Sequence, residues 1–119
     1  MFQFFQRPQV DSISPREAMI GQEAGEVVVI DVREFMELKM SGKAKGAKHI
    51  PTSRLQAECD PKSPEYDESL TGKTLALYCA SGARSGAVAP MLKQMGHEDV
   101  RNIGGLMHWQ QGGGAVERV

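Results

Sequence analysis

The run Thr74-Leu75-Ala76-Leu77-Tyr78 leads directly into Cys79, and Cys79 into Ala80, Ser81, Gly82, Ala83, Arg84 and Ser85. A short uncharged, mostly apolar run of this kind reads as a buried strand. Beyond the small residues, Val88, Met91, Leu92 and Met95 recur at helical spacing. The cysteine therefore sits where a strand turns into a helix. In open α/β sheets this junction lies at the carboxyl end of the strands, where ligands bind.

The chemistry of that position follows from the backbone. A free thiol titrates at about 8.5, and a helix N-terminus or a nearby cation lowers this to roughly 3.5–7.5. The first helical turn leaves amides unpaired and carries partial positive charge. Gly82 permits a positive φ, while Ala80 and Ala83 keep bulk out of the turn. Successive amides in such a turn form an anion-binding nest. Arg84 adds a fixed charge and a fork suited to a sulfonate or phosphate. Cys79 is thus a candidate thiolate nucleophile, lined by Ala80, Ser81, Gly82, Ala83, Arg84 and Ser85. A cysteine that merely packs at a strand end is the competing reading, but packing alone requires neither the glycine-containing turn nor the arginine.

Along the chain, strand-like and helix-like segments alternate. Val10 to Ile13 suits a short strand. Ser14 is a good N-cap, with Pro15 at the first helical position and Glu17 in the first turn; this helix should end near Gly21 or Gly25. Val27 to Ile30 is a continuous apolar run of the parallel-sheet type. Glu34 to Met40 suits a short helix, and Lys48 to Ile50 a brief strand stopped by Pro51. Between Thr52 and Thr71, Asp60-Pro61 and Ser63-Pro64 mark breaks, and Glu65 to Glu68 starts a short helix. Asp99 to Ile103 suits a last strand and Gly105 to Gln111 a last helix, with Gly112-Gly113-Gly114 loosening the tail. Pro90 lies inside the helix after the cysteine, so distortion is expected near Gly86. The alternation implies an α/β fold with a central parallel sheet of about five strands and helices on both faces.

At 119 residues the chain suits one core, taken as a domain over 10–119 behind an N-terminal segment 1–9. The net charge of −1 argues against nucleic acid or a membrane surface as partner. No apolar stretch approaches a membrane span. Phe2-Gln3-Phe4-Phe5 is too short for a secretory core and lacks a basic flank. The two cysteines have no metal-ligand spacing and supply no disulfide framework. No cofactor or metal is expected, and a reducing cytoplasm is the simplest setting for a free thiolate.

Four segments, in order, make the chain resemble the rhodanese family of sulfurtransferases over roughly residues 11–118. They are Asp31-Val32-Arg33-Glu34, Gly46-Ala47-Lys48-His49-Ile50-Pro51, the Cys79 to Arg84 loop with four intervening residues, and Asn102-Ile103-Gly104-Gly105-Leu106 followed by Trp109. One departure is Gly42-Lys43-Ala44, where many members carry Gly-His-Ile. The resemblance implies a rhodanese-like domain that moves sulfur from a small anionic donor such as thiosulfate to a thiophilic acceptor through a persulfide on Cys79. Arg84 would hold the loop and help bind the donor's sulfonate. Phosphatases and arsenate reductases of related fold place five residues between cysteine and arginine, one more than here. A carrier taking sulfur from a relay protein would keep the same cysteine.

Other residues carry less. Asp31 and Arg33 follow a strand end and read as a supporting ion pair more readily than as pocket lining. Lys39, Lys43, Lys45 and Lys48 read as a solvated surface rather than a guide for anions. His49, His97 and His108 show no metal spacing, and Trp109 reads as core. Cys59 is a resolving thiol only if the fold brings it to Cys79.

Overall fold

The computed structural model describes residues 10–119, so the Phe2 to Phe5 cluster and the segment 1–9 lie outside the described residues. Five strands form one parallel sheet in the order β1-β6-β5-β2-β4. These are β1 (Asp11–Ser12), β2 (Val27–Asp31), β4 (Lys48–His49), β5 (Thr74–Cys79) and β6 (Val100–Gly105). The expected α/β fold with a five-stranded parallel sheet is thus present.

Each face of the sheet is covered because β5 alternates its side chains across it. Leu75, Leu77 and Cys79 point to one face and pack with Leu55 and Cys59 of helix α3 (Leu55–Cys59) and with Ala89 and Leu92 of α4 (Ala83–Gln94). Ala76 and Tyr78 point to the other, against Ala18 of α1 (Pro15–Glu23) and Leu106 and Trp109 of α5 (Leu106–Gln111). A further short helix, α2 (Phe35–Ser41), follows β2.

Local signals explain most element ends. Ser14 caps α1 through the amide of Glu17 at 3.1 Å, and the Glu17 carboxylate returns a bond to the Ser14 amide at 3.2 Å. That reciprocal box, with Pro15 in the first turn, fixes the start of the helix. The α4 helix runs unbroken from Ala83 to Gln94 with Pro90 inside it; the distortion expected near Gly86 does not interrupt it.

Three parts differ from expectation. The stretch from Thr52 to Thr71 holds α3 and two short 3-10 turns, Thr52–Arg54 and Glu68–Leu70, in place of a helix started at Glu65. The chain end is not loose. Strand β7 (Val116–Glu117) pairs antiparallel with β3 (Lys43–Ala44), and the Trp109 indole donates to the Ala115 carbonyl at 2.7 Å. A Cβ on Gly114 would come within 2.3 Å of the Trp109 ring, so the glycine there serves close approach. Lys43, which stands where histidine is common, forms an ion pair with Glu117 and donates to the Ala47 carbonyl at 2.8 Å.

Candidate active site

Strand β5 delivers Cys79 to the carboxyl edge of the sheet, and the chain then turns within four residues into α4. Gly82 makes the turn at φ 103°, a left-handed conformation that a residue with a Cβ resists. A Cβ there would also sit 3.0 Å from Cα of Gly104. On the other side, an added Cβ on Gly105 would lie 2.2 Å from the Ala80 carbonyl oxygen. The loop is therefore pressed against the junction of β6 and α5, and glycine on both strands of that contact allows it.

The sulfur is buried at the base of the loop, beneath exposed Ala80, Ser81 and Ala83. The Gly82 amide donates to Sγ at 3.0 Å, and the Ser85 hydroxyl lies 3.5 Å from it. Burial pushes the thiol up. The Ser85 hydroxyl and the amides of Ser85, Gly82 and Ser81 outweigh it and bring Cys79 down to about 7. A large share of Cys79 is thus thiolate at neutral pH, as its position at a helix start implies.

Asn102 holds this arrangement together. Its Oδ1 accepts from the Ser85 hydroxyl at 2.8 Å and the Gly104 amide at 3.0 Å, and its Nδ2 donates to the Gly82 carbonyl at 3.1 Å. The Ser85 hydroxyl has one proton, and its bond to Asn102 is the shorter. The backbone amides are therefore the standing donors to sulfur, with Ser85 a shared one. Nothing local to Asn102 marks it for this role; only the pairing of β5 with β6 brings it under the loop.

Arg84 is also met by an unforeseen residue. Glu37 of α2 takes both terminal nitrogens of its guanidinium, at 2.8 Å each. This ion pair holds the Glu37 carboxyl down at about 2 and raises Arg84 above its ordinary value, with the Cys79 thiolate adding to the latter. The basic fork expected to await an anion is bound to a carboxylate.

Asp31 and Arg33 take the supporting role. Arg33 Nη2 and the Asp31 carboxylate meet at 2.8 Å with both side chains buried, and Arg33 also donates to Ser41 Oγ at 2.8 Å and the Gly42 carbonyl at 2.7 Å. The Tyr78 hydroxyl bonds the same carboxylate and accepts from the Ala44 amide at 2.8 Å. Tyr78 faces away from Cys79 across the sheet, so this network braces β2, α2 and β3 without touching the sulfur. Among the lysines, Lys43 and Lys48 are spent in ion pairs with Glu117 and Asp67.

Cys59 lies in the same core cluster as Cys79 and is reduced. Burial, with Glu58 and Asp67 adding, pushes its thiol up to about 12, so it stays protonated and carries no nucleophile. The histidines are structural: His49 bonds the Arg33 carbonyl at 2.6 Å, His97 the Cys59 carbonyl at 2.7 Å, and His108 Nδ1 accepts from the Gly105 amide at 2.8 Å. Among the described residues no group of His, Cys, Asp and Glu could hold a metal.

A parallel α/β sheet with a cysteine in a glycine-turned loop at its carboxyl edge defines a fold and a site, which by themselves do not specify one activity. Comparison narrows it. The rhodanese-like domain model matches residues 14–112, and the chain belongs to that family. It is 32% identical over 103 residues to the uncharacterized protein slr1261 of Synechocystis sp., covering 86% of this chain and 53% of that protein. The chain thus spans about half the length of that curated relative. A structure from Rhodopseudomonas palustris, described as of unknown function and a possible tyrosine phosphatase, superposes with TM-score 0.79 at 28% identity, covering 91% of this chain and 85% of that one. A rhodanese-related protein of Thermoplasma volcanium gives TM-score 0.69 at 31% identity, covering 90% and 97%.

Proposed function

We propose that this protein is a sulfurtransferase that carries sulfane sulfur on Cys79. The observation that carries the reading is the ring of donors around Sγ, which holds the thiol at about 7 at the base of the loop. Membership of the rhodanese-like family supports it. The thiolate attacks the outer sulfur of a donor such as thiosulfate; an Sγ–S bond forms, the donor's S–S bond breaks, and sulfite leaves with the electron pair. The terminal sulfur of the persulfide is then anionic, and the loop whose Ser81, Gly82 and Ser85 amides act on Sγ stabilises that charge as an oxyanion hole stabilises oxygen. Cyanide or a thiolate takes that sulfur and restores the Cys79 thiolate. Arg84 ties the loop to α2 through Glu37, and Asp31 and Arg33 brace the sheet beneath.

The partners in this reading are a small anionic sulfur donor and a thiophilic acceptor, or a sulfur-relay protein in place of either, with neither nucleic acid nor membrane involved. Among the described residues no helix is long and apolar enough to cross a membrane. Two reduced thiols agree with a cytoplasmic setting.

Intact-mass measurement after incubation with thiosulfate tests the reading. The expected result is a gain of one sulfur atom, lost on adding cyanide and absent in Cys79→Ser. Normal thiocyanate production by Cys79→Ser would rule the mechanism out. Fast discharge of a protein persulfide beside slow thiosulfate turnover would assign the relay role instead. The description of the R. palustris structure makes an aryl phosphate the proper control substrate; hydrolysis without sulfur loading would overturn sulfur transfer.

A further inference from the structure

Glu37 occupies Arg84 with both carboxylate oxygens, Oε2 on Nη1 and Oε1 on Nη2, each at 2.8 Å. The same carboxylate accepts from the Glu34 amide at 2.9 Å, which fixes it to the first turn of α2 independently of the arginine. The nearby Asp31 and Arg33 cancel each other. Taken together, Glu37 and Arg84 add no net charge beside the sulfur, which contributes one negative charge as thiolate.

Donors differ sharply in what they bring to such a site. With thiosulfate, the thiolate and the dianion gather three negative charges around Sγ, and after transfer the persulfide anion and sulfite carry the same three. With a protonated persulfide R–S–SH, Sγ bonds the outer sulfur, the S–S bond breaks and R–S⁻ leaves; one negative charge is present throughout. A free arginine would favour the first reaction strongly and the second weakly, because attraction scales with the charge met.

Building on the sulfur-transfer reading above, we propose that Glu37 is a specificity-determining residue: by holding Arg84 in a bidentate ion pair it offsets that charge toward dianionic donors and turns the loop toward persulfides.

The test compares rates of sulfur loading onto Cys79, followed by intact mass, for thiosulfate and for the persulfide of 2-mercaptoethanol, whose organic group is uncharged. Glu37→Gln keeps a side-chain acceptor for the Glu34 amide and removes the negative charge. The ratio of the thiosulfate rate to the persulfide rate should rise roughly tenfold, as expected for a dianion gaining one partly screened countercharge. A residue that merely holds the loop would slow both donors alike, so a ratio that stays level or falls overturns the assignment. Should Glu37→Gln not fold, salt supplies the answer on the unmodified protein. Thiosulfate loading should speed up as ionic strength rises, because screening relieves like-charge repulsion; slowing would mean that Arg84 still acts as a free cation, and overturns the assignment. Absence of added sulfur from both donors on the unmodified protein would instead defeat the sulfur-transfer reading itself.

Discussion

Glu37 and Arg84 stand 47 residues apart in the chain, yet the two carboxylate oxygens of one meet the two terminal nitrogens of the other at 2.8 Å. The pair joins α2, which follows β2, to the first turn of α4, which follows β5. These strands are neighbours paired from Val27 and Thr74 to Asp31 and Tyr78, so the helices that leave them emerge side by side. One contact therefore couples the thiol loop to the adjoining strand–helix unit.

That coupling should show in acid. The Glu37 carboxyl is held at about 2, mainly by Arg84. A depressed carboxyl adds stability above its unfolded value near 4.3 and loses it as pH falls toward the folded value. Because the Glu37 side chain is 33% exposed and that of Arg84 42%, solvent screening leaves the pair worth roughly 1 kcal/mol. Unfolding free energies from urea titrations of the native chain and Glu37→Gln should differ by that amount at pH ~6 and converge as pH falls through about 2.

Alkylation of Cys79 by iodoacetamide should follow a titration with its midpoint near pH 7, where the folded thiol is held. Ser85→Ala removes a shared donor and leaves the amides, so its midpoint should move up by about half a unit to one unit. A midpoint near the free-thiol value of about 8.5 in the unmodified protein would contradict the donor ring.

Gly82→Ala should damage the loop more than its size suggests. The backbone there is at φ 103°, and the new methyl would meet Gly104 at 3.0 Å. The expected cost is about 1–3 kcal/mol in thermal or urea unfolding. Part of the chain's relief would be to turn the Gly82 amide from Sγ, so the alkylation midpoint should rise as well.

Asp31→Ala separates stability from reactivity. It strands a buried Arg33 and the Tyr78 hydroxyl, and breaking a buried pair of this kind costs about 3–5 kcal/mol. Because Tyr78 and Cys79 face opposite sides of the sheet, the alkylation midpoint of the molecules that remain folded should stay near 7.

What was legible beforehand was local. The apolar run into Cys79, the helical spacing from Val88 to Met95, and the Ser14 cap with Pro15 and Glu17 in the first turn each lie within a few residues, and each element formed as its own signals require. The departures came where signals were short or competing. Leu55–Cys59 is only five residues long and sits among prolines and turns that hide its period. The β3 and β7 pair has two residues per strand, too few for alternation to register. The glycines before it suggested slack, whereas Gly114 is there to admit the face of Trp109.

By itself the sequence determined the order of the longer strands and helices, the strand end on which Cys79 stands and the glycine that turns the chain after it, because these depend on φ, side-chain period and neighbouring residues. Tertiary structure alone decided that Asn102 would hold the loop from beneath, that Tyr78 would complete the Asp31 and Arg33 pair, and that Glu37 would claim Arg84. Those contacts join residues from 17 to 47 positions apart, and no local rule says which distant carboxylate or amide a folded sheet will bring within bonding distance.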